Sequence, residues 1–225
     1  MGVIIRETPQ RNFQKTRHFT VNLNGNHGVH TISTTLTTHP GTVRDWLYSV
    51  LYSHRPHLHR LVIGLGVQWT PYYHHYRHSS AATLQLCVGR RCLIYHLHHS
   101  RSSPRILHRI LSDRRFTFVG LWNSRDAEFL RDSVHRLEME DGMPVDLRRH
   151  VVDDDGRSMK GESIAEIAAE VIGVDIERIE EVVRSDWEVE ELSVEQVKHA
   201  AVDAFVAYVV AMRIRAWELN PFILG

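Results

Sequence analysis

The sequence predicts one α/β domain, a mixed β-sheet flanked by helices, with an added N-terminal β-hairpin and helix. Three observations carry this expectation. The run Leu61-Val-Ile-Gly-Leu-Gly-Val-Gln-Trp69 is apolar on both faces, as a central strand between two layers must be. An early group of period-two segments gives way to alternating strand and helix patterns, the order that builds a mixed sheet with helices outside it. The segment Ala200 to Met212 is apolar nearly all round, which suits a helix buried against that sheet. A chain of 225 residues, 43% of them hydrophobic, is long enough for one large core.

Taken in order, residues 18–24 and 29–35 alternate with period two around Gly25-Asn-His-Gly28 and read as a hairpin. Pro40 suits the first turn of a helix in which Val43, Trp46, Leu47, Val50 and Leu51 recur at helical spacing. These elements, residues 1–54, form the extension, and residues 55–219 form the core domain. After the central strand at 61–69, segments 82–88 and 91–97 flank the tight Gly89-Arg90 connection and predict an antiparallel pair. A short helix follows from Pro104 to Leu111, then a strand at 116–120. Asn123 or Ser124 is expected to cap a helix running to about Arg136. A short strand at 145–148 and helices at about 162–172 and 193–217 complete the order. Ser193 with Gln196 three residues later makes a capping box for the last helix.

Charge is distributed unevenly under a net charge of zero. Residues 1–112 hold 13 Lys and Arg against 2 Asp and Glu, whereas residues 113–225 hold 14 against 25. The basic half suits a polyanion, and the two halves equally suit pairing with each other or with another subunit. Histidines follow the basic half, with 14 of 17 before residue 113. The clusters His54-Arg-Pro-His57-Leu-His59 and His74-His75-Tyr-Arg-His78 lack helix-borne metal spacing and read as surface residues. Asp153-Asp-Asp-Gly156 lacks the EF-hand spacing and reads as a solvated turn. Cys87 and Cys92 lie in apolar runs and are expected as buried reduced thiols. No apolar stretch is long enough to span a bilayer, and the N-terminus has no apolar core with a cleavage site, so a soluble, intracellular chain is expected.

Two acids stand out. Asp203 lies in the apolar helix, where an ionised carboxylate needs a cation, an arginine or a backbone donor. Asp126 begins the helix after the 116–120 strand, where the helix dipole favours an anion, and also fits an ordinary capping acid. His199 precedes Asp203 by four positions, so one helix face presents an imidazole beside a carboxylate. Such a pair serves to orient or deprotonate water, or simply holds the histidine.

Read together, Leu61–Trp69, Ala82-Thr-Leu-Gln-Leu-Cys-Val88, Phe118-Val-Gly120 with Asp126, Ser185-Asp-Trp187 and Leu192-Ser-x-x-Gln-Val-Lys-His-Ala-Ala-Val-Asp-Ala204 resemble the Werner-type 3'-5' exonuclease domain of the DnaQ-like superfamily, over about residues 55–215. That resemblance implies a ribonuclease H-like sheet and hydrolysis with Mg²⁺ or Mn²⁺. The family's middle and last acids fall on Asp126 and Asp203, which it assigns to the metal. The family's strand pair, Asp and Glu, is replaced by Gly66 and Gln68, and its helix tyrosine by His199. Glycine offers no side-chain ligand and a neutral amide lacks the carboxylate charge, so a two-metal site made by this chain alone is incomplete. Gln68 still suits a contact to water or a phosphate oxygen.

The runs Gly66-Val-Gln-Trp-Thr-Pro71 with Ala82 to Gly89, and Val119-Gly-Leu-Trp-Asn-Ser-Arg-Asp126, resemble the small plant exoribonucleases that associate with the RNA-induced silencing complex. This resemblance implies a homo-oligomer, a hexamer with sites at subunit boundaries. It implies single-stranded RNA as substrate, an Argonaute-containing silencing complex as partner, and a cytoplasmic location with the nucleus as a second. In that setting Asp126, Asp203, His199 and Gln68 are the expected catalytic residues. Trp69 is expected to stack on a terminal base or to pack in the core, and Arg90 and Arg91 to contact the RNA backbone or to form an exposed turn. The alternative function is a non-enzymatic protein of the same fold that binds RNA or a silencing protein.

Overall fold

The computed structural model describes residues 2–8, 16–26, 28–71, 80–220 and 222. Its strands are β1 (Val3–Thr8), β2 (Thr16–Gly25), β3 (Gly28–Thr37), β4 (Val62–Gln68), β5 (Thr83–Val88), β6 (Arg91–His96), β7 (Thr117–Gly120) and β8 (Val145–Asp146). The helices are α1 (Pro40–His54), α2 (Arg105–Leu111), α3 (Asp126–Arg131), α4 (Ile164–Ile172), α5 (Glu180–Val183) and α6 (Val194–Arg213). All eight strands form one mixed sheet in the order β1-β2-β3-β6-β5-β4-β7-β8. The expected mixed sheet flanked by helices is thus present, and the N-terminal hairpin does more than pack on it. Strand β3 pairs parallel with β6, so the extension continues the sheet. Strand β1, absent from the sequence expectation, adds an edge by pairing antiparallel with β2.

Strand β4 shows how the sequence builds two layers. Ile63, Leu65 and Val67 point into a core under α1, α2 and α3, with Leu47, Leu86, Leu107 and Phe129. The alternate face points at α6, whose Ala200, Ala204, Phe205 and Val206 fill the opposite core. On that face β4 carries Gly64, where an added Cβ would run into the Ala204 carbonyl oxygen and approach Tyr208 N at 2.9 Å. The missing side chain lets the helix lie directly on the strand. Cys87 and Cys92 are free, buried and opposite each other on β5 and β6, as expected of reduced core thiols. Among the described residues no helix is long and apolar enough to cross a membrane.

Local signals are realised where they are self-contained. Ser193 accepts a hydrogen bond from Gln196 N, and Gln196 Oε1 accepts one from Ser193 N at 2.9 Å. Ser193→Ala is expected to cost about 1 kcal/mol of stability, measured by urea unfolding. Asp153–Gly156 forms the expected surface turn, with Asp153 Oδ1 accepting from Asp155 N and Arg157 N. His54, His57 and His59 close α1 and the following 3-10 turn at the surface, whereas the His74–His78 cluster lies outside the described residues.

Three expectations are corrected. The helix after β7 spans only Asp126–Arg131, and neither Asn123 nor Ser124 caps it. Asn123 instead donates Nδ2–H to the carbonyls of Pro144 and Val145, at 3.3 Å each, tying β7 to β8. The 145–148 strand stops at Asp146 and continues as a 3-10 turn. Helix α6 ends at Arg213 rather than near 217, because Arg215 turns into the left-handed region at φ 56°.

Candidate active site

Asp146 of β8 and Asp203 of α6 lie close enough to Asp126 of α3 to act on its ionisation. Asp126 opens α3 and is only 6% exposed. Burial first, then the charges of Asp146 and Asp203, push its carboxyl up to about 8. The expected support from the helix dipole is overridden. A dipole contributes about 0.3–1 kcal/mol, while each unit of pKa corresponds to about 1.4 kcal/mol. The neutral form of Asp126 is therefore favoured well above the usual carboxylate range.

Each of the other two acids is held by an arginine. Asp146 ends β8 and accepts from Arg148 Nη2 at 2.6 Å and Nε at 3.1 Å. Asp203 Oδ1 lies 3.5 Å from Arg178 Nη1, which realises the arginine-held reading of this acid. From one turn earlier on α6, His199 Nε2 stands 3.3 Å from Asp203 Oδ2. The contact lacks hydrogen-bond alignment, and Nε2 is buried without a hydrogen-bond partner. Its ring lies 6.0 Å from that of Trp187.

Beneath α6, Gly66 and Gln68 share the face of β4 that carries Gly64, as period two requires. A Cβ on Gly66 would stand 2.9 Å from Gln85 Oε1, the end of a flexible side chain. That oxygen is buried without a partner, while Gln85 Nε2 donates to Thr83 Oγ1 at 2.6 Å. An amide thus occupies the space beside the position of the missing strand acid. Gln68 and Trp69 border a cavity of about 270 Å³ with Pro71, Val183 and Arg184. Trp69 also packs on Phe129, three residues along α3 from Asp126, with ring centroids 4.5 Å apart. It therefore serves the core on one side and the cavity on the other.

The structure brings Asp203 within electrostatic reach of Asp126 and sets His199 against Asp203, places Gln68 and Trp69 on a cavity of their own, and puts Arg90 and Arg91 elsewhere. The two arginines sit at the Val88–Arg91 end of the β5–β6 hairpin, while Gln68 pairs with Thr83 at the other end. Arg91 donates to Ser49 Oγ at 3.0 Å and lies over Trp46 of α1. Any contact of this pair with an RNA backbone would therefore fall at the far end of the hairpin from Gln68. Asp146 was missed from sequence. Its available signal was an acid at the end of a short strand after a βα unit, where parallel strands of an α/β sheet gather ligand groups.

The fold places these groups in known company. The exonuclease domain of Aedes aegypti Nibbler superposes with a TM-score of 0.62 at 17% identity, covering 84% of this chain and 94% of that one. The chain thus has the fold of that exonuclease domain. Escherichia coli RNase D, an exoribonuclease involved in structured RNA processing, shares this exonuclease fold with a TM-score of 0.53 at 19% identity, over 76% of this chain and 43% of that one. In sequence, 155 residues are 24% identical to the mouse bifunctional 3'-5' exonuclease/ATP-dependent helicase WRN. The match covers 68% of this chain and 11% of that protein, so the chain spans about a tenth of its curated relative. No family model matches the chain.

Among the described residues no group of three or more His, Cys, Asp or Glu side chains is placed to hold a metal ion. Arg178 is paired with Asp203, and burial disfavours the charged form of Asp126, so both acids are already engaged. Gly66 and Gln68 add no carboxylate to them.

Proposed function

We propose that the chain is a metal-dependent 3'-5' exoribonuclease that shortens single-stranded small RNA or its fragments in association with RNA silencing. The observation that carries this reading is the gathering of Asp126, Asp146 and Asp203, close enough for two charges to oppose ionisation of the third. Carboxylates are brought together against their own repulsion where a cation is to be held. Asp126 and Asp203 would hold Mg²⁺ or Mn²⁺. The bound cation supplies charge neutralisation at the phosphate and a more acidic water at neutral pH. His199 would take up or return a proton at its unpartnered Nε2, and the Gln68 amide would contact water or a phosphate oxygen. A second copy of the chain, in a homo-oligomer such as a hexamer, supplies the charge that Gly66 and Gln68 lack. A cytoplasmic, Argonaute-containing complex is the proposed setting.

A second reading, RNA binding without hydrolysis, is favoured by one specific observation. Arg148 and Arg178 neutralise two of the three acids from within the chain. The experiment that separates the readings uses Mn²⁺ and end-labelled single-stranded RNA with a free or blocked 3' end. Stepwise shortening of the free end only, abolished by Asp203→Asn, is expected. Gly66→Asp combined with Gln68→Glu restores the strand acids, and the end of Gln85 is the group nearest a Cβ at position 66. That variant is expected to raise the rate on the order of 100-fold. RNA that stays intact with both the native chain and the double variant, yet still binds, would establish the second reading.

A further inference from the structure

Trp122 is a bulky residue with φ 56°, in the left-handed region, and its side chain is 52% exposed. A β-carbon makes this conformation costly, and such strain persists where surrounding contacts impose it for a purpose. Here the contacts fix the indole rather than bury it. Nε1–H donates to the Glu162 carbonyl at 3.0 Å. The Arg148 guanidinium lies over the ring at 3.6 Å from its centroid. Arg148 is itself held by the Asp146 carboxylate and by the Lys160 carbonyl at 3.1 Å. The ring is thus clamped at one edge and covered on one face.

A cavity of about 330 Å³ borders Trp122, with walls from Gly161, Ser163, Ile164, Glu166 and Arg178. Arg178 links the cavity directly to the acids, because the same side chain reaches Asp203. A rigid aromatic surface, an apolar wall from Ile164 and a cation at the inner edge match an unpaired base with its phosphate toward the arginine. The Glu166 carboxylate accepts from Ser163 N at 2.7 Å and stays with the cap of α4.

We propose that Trp122, clamped by Arg148, is the stacking platform for one base of single-stranded RNA, with Arg178 beside the adjoining phosphate. This subsite rests on the reading of the chain as a protein that takes an RNA 3' end. Recruiting Arg178 to a phosphate also loosens it from Asp203, which frees that carboxylate when RNA is present.

The test measures binding of fluorescein-labelled oligouridylate by anisotropy, without divalent cation, to the native chain, Trp122→Ala and Trp122→Phe. Loss of one base stack weakens binding roughly 10-fold, so Trp122→Ala should bind about that much more weakly and Trp122→Phe within about 3-fold of native. An oligonucleotide with one abasic position near the 3' end should lose the same factor on the native chain and little more on Trp122→Ala. Native affinity in both variants would overturn the platform while leaving RNA binding intact. No RNA binding by the native chain would overturn the platform and the underlying reading together.

Discussion

Asp126→Asn is expected to make the protein more stable in alkali while abolishing hydrolysis. The Asp126 carboxyl titrates at about 8 in the folded chain against an ordinary 3.8. Between those values the folded state binds more protons than the unfolded one, so stability falls as pH rises. The contribution is fully present below about pH 4 and lost above about pH 8. A difference of about 4 units at about 1.4 kcal/mol each sets an upper bound of about 6 kcal/mol. The asparagine keeps the shape and cannot ionise. Urea unfolding should therefore place the variant within about 1 kcal/mol of native at pH 4 and several kcal/mol above it at pH 9. Parallel stability profiles over that range would mean that Asp126 is ionised and well solvated, and the crowded acidic site would go with it. On the proposed reading, a cation held by these acids would remove the repulsion.

Gly64→Ala should be the most damaging methyl group that can be added to this sheet. Its Cβ would meet the Ala204 carbonyl and Tyr208 N, both backbone groups of α6. Neither can turn aside, so the helix must lift off β4 and open both the apolar contact and the geometry of Asp203. Overpacking of this kind costs about 3 kcal/mol or more, which lowers Tm by about 6–12 °C in a chain of this size. Gly66→Ala, two residues along the same face, meets only the movable end of Gln85 at 2.9 Å and should cost less than about 1 kcal/mol. Equal thermal shifts in the two variants would show that α6 does not rest on the strand as described.

The same pair of glycines shows where sequence reading succeeds. Strand β4 was legible because its apolar run needs two buried faces, and period two then places Gly64, Gly66 and Gln68 together without any knowledge of the fold. Helix α6 was legible from Ser193, Gln196 and an apolar surface, all within its own turns. Asp126, Asp203 and His199 stood out locally, as an acid at a helix start, an acid in an apolar helix and its neighbour one turn away, but only the resemblance joined them, since 77 positions separate the two aspartates.

Other features depended on partners distant in the chain. The extent of α3 was misread because Asn123 serves the Pro144–Val145 backbone instead of the nearby helix. Strand β1 is a strand because β2 pairs with it, and Asp146 joins the site because β8 lies beside β7. What the sequence determined by itself was local: which segments are helix or strand, and which residues share a face, because backbone geometry repeats every 2 or 3.6 residues. What only the tertiary structure decided was which distant charges meet, that Arg178 and Arg148 cover two acids, and that Asp126 is buried enough to favour its neutral form. Those outcomes depend on through-space distance and on exclusion of water, and neither quantity is carried by residue order.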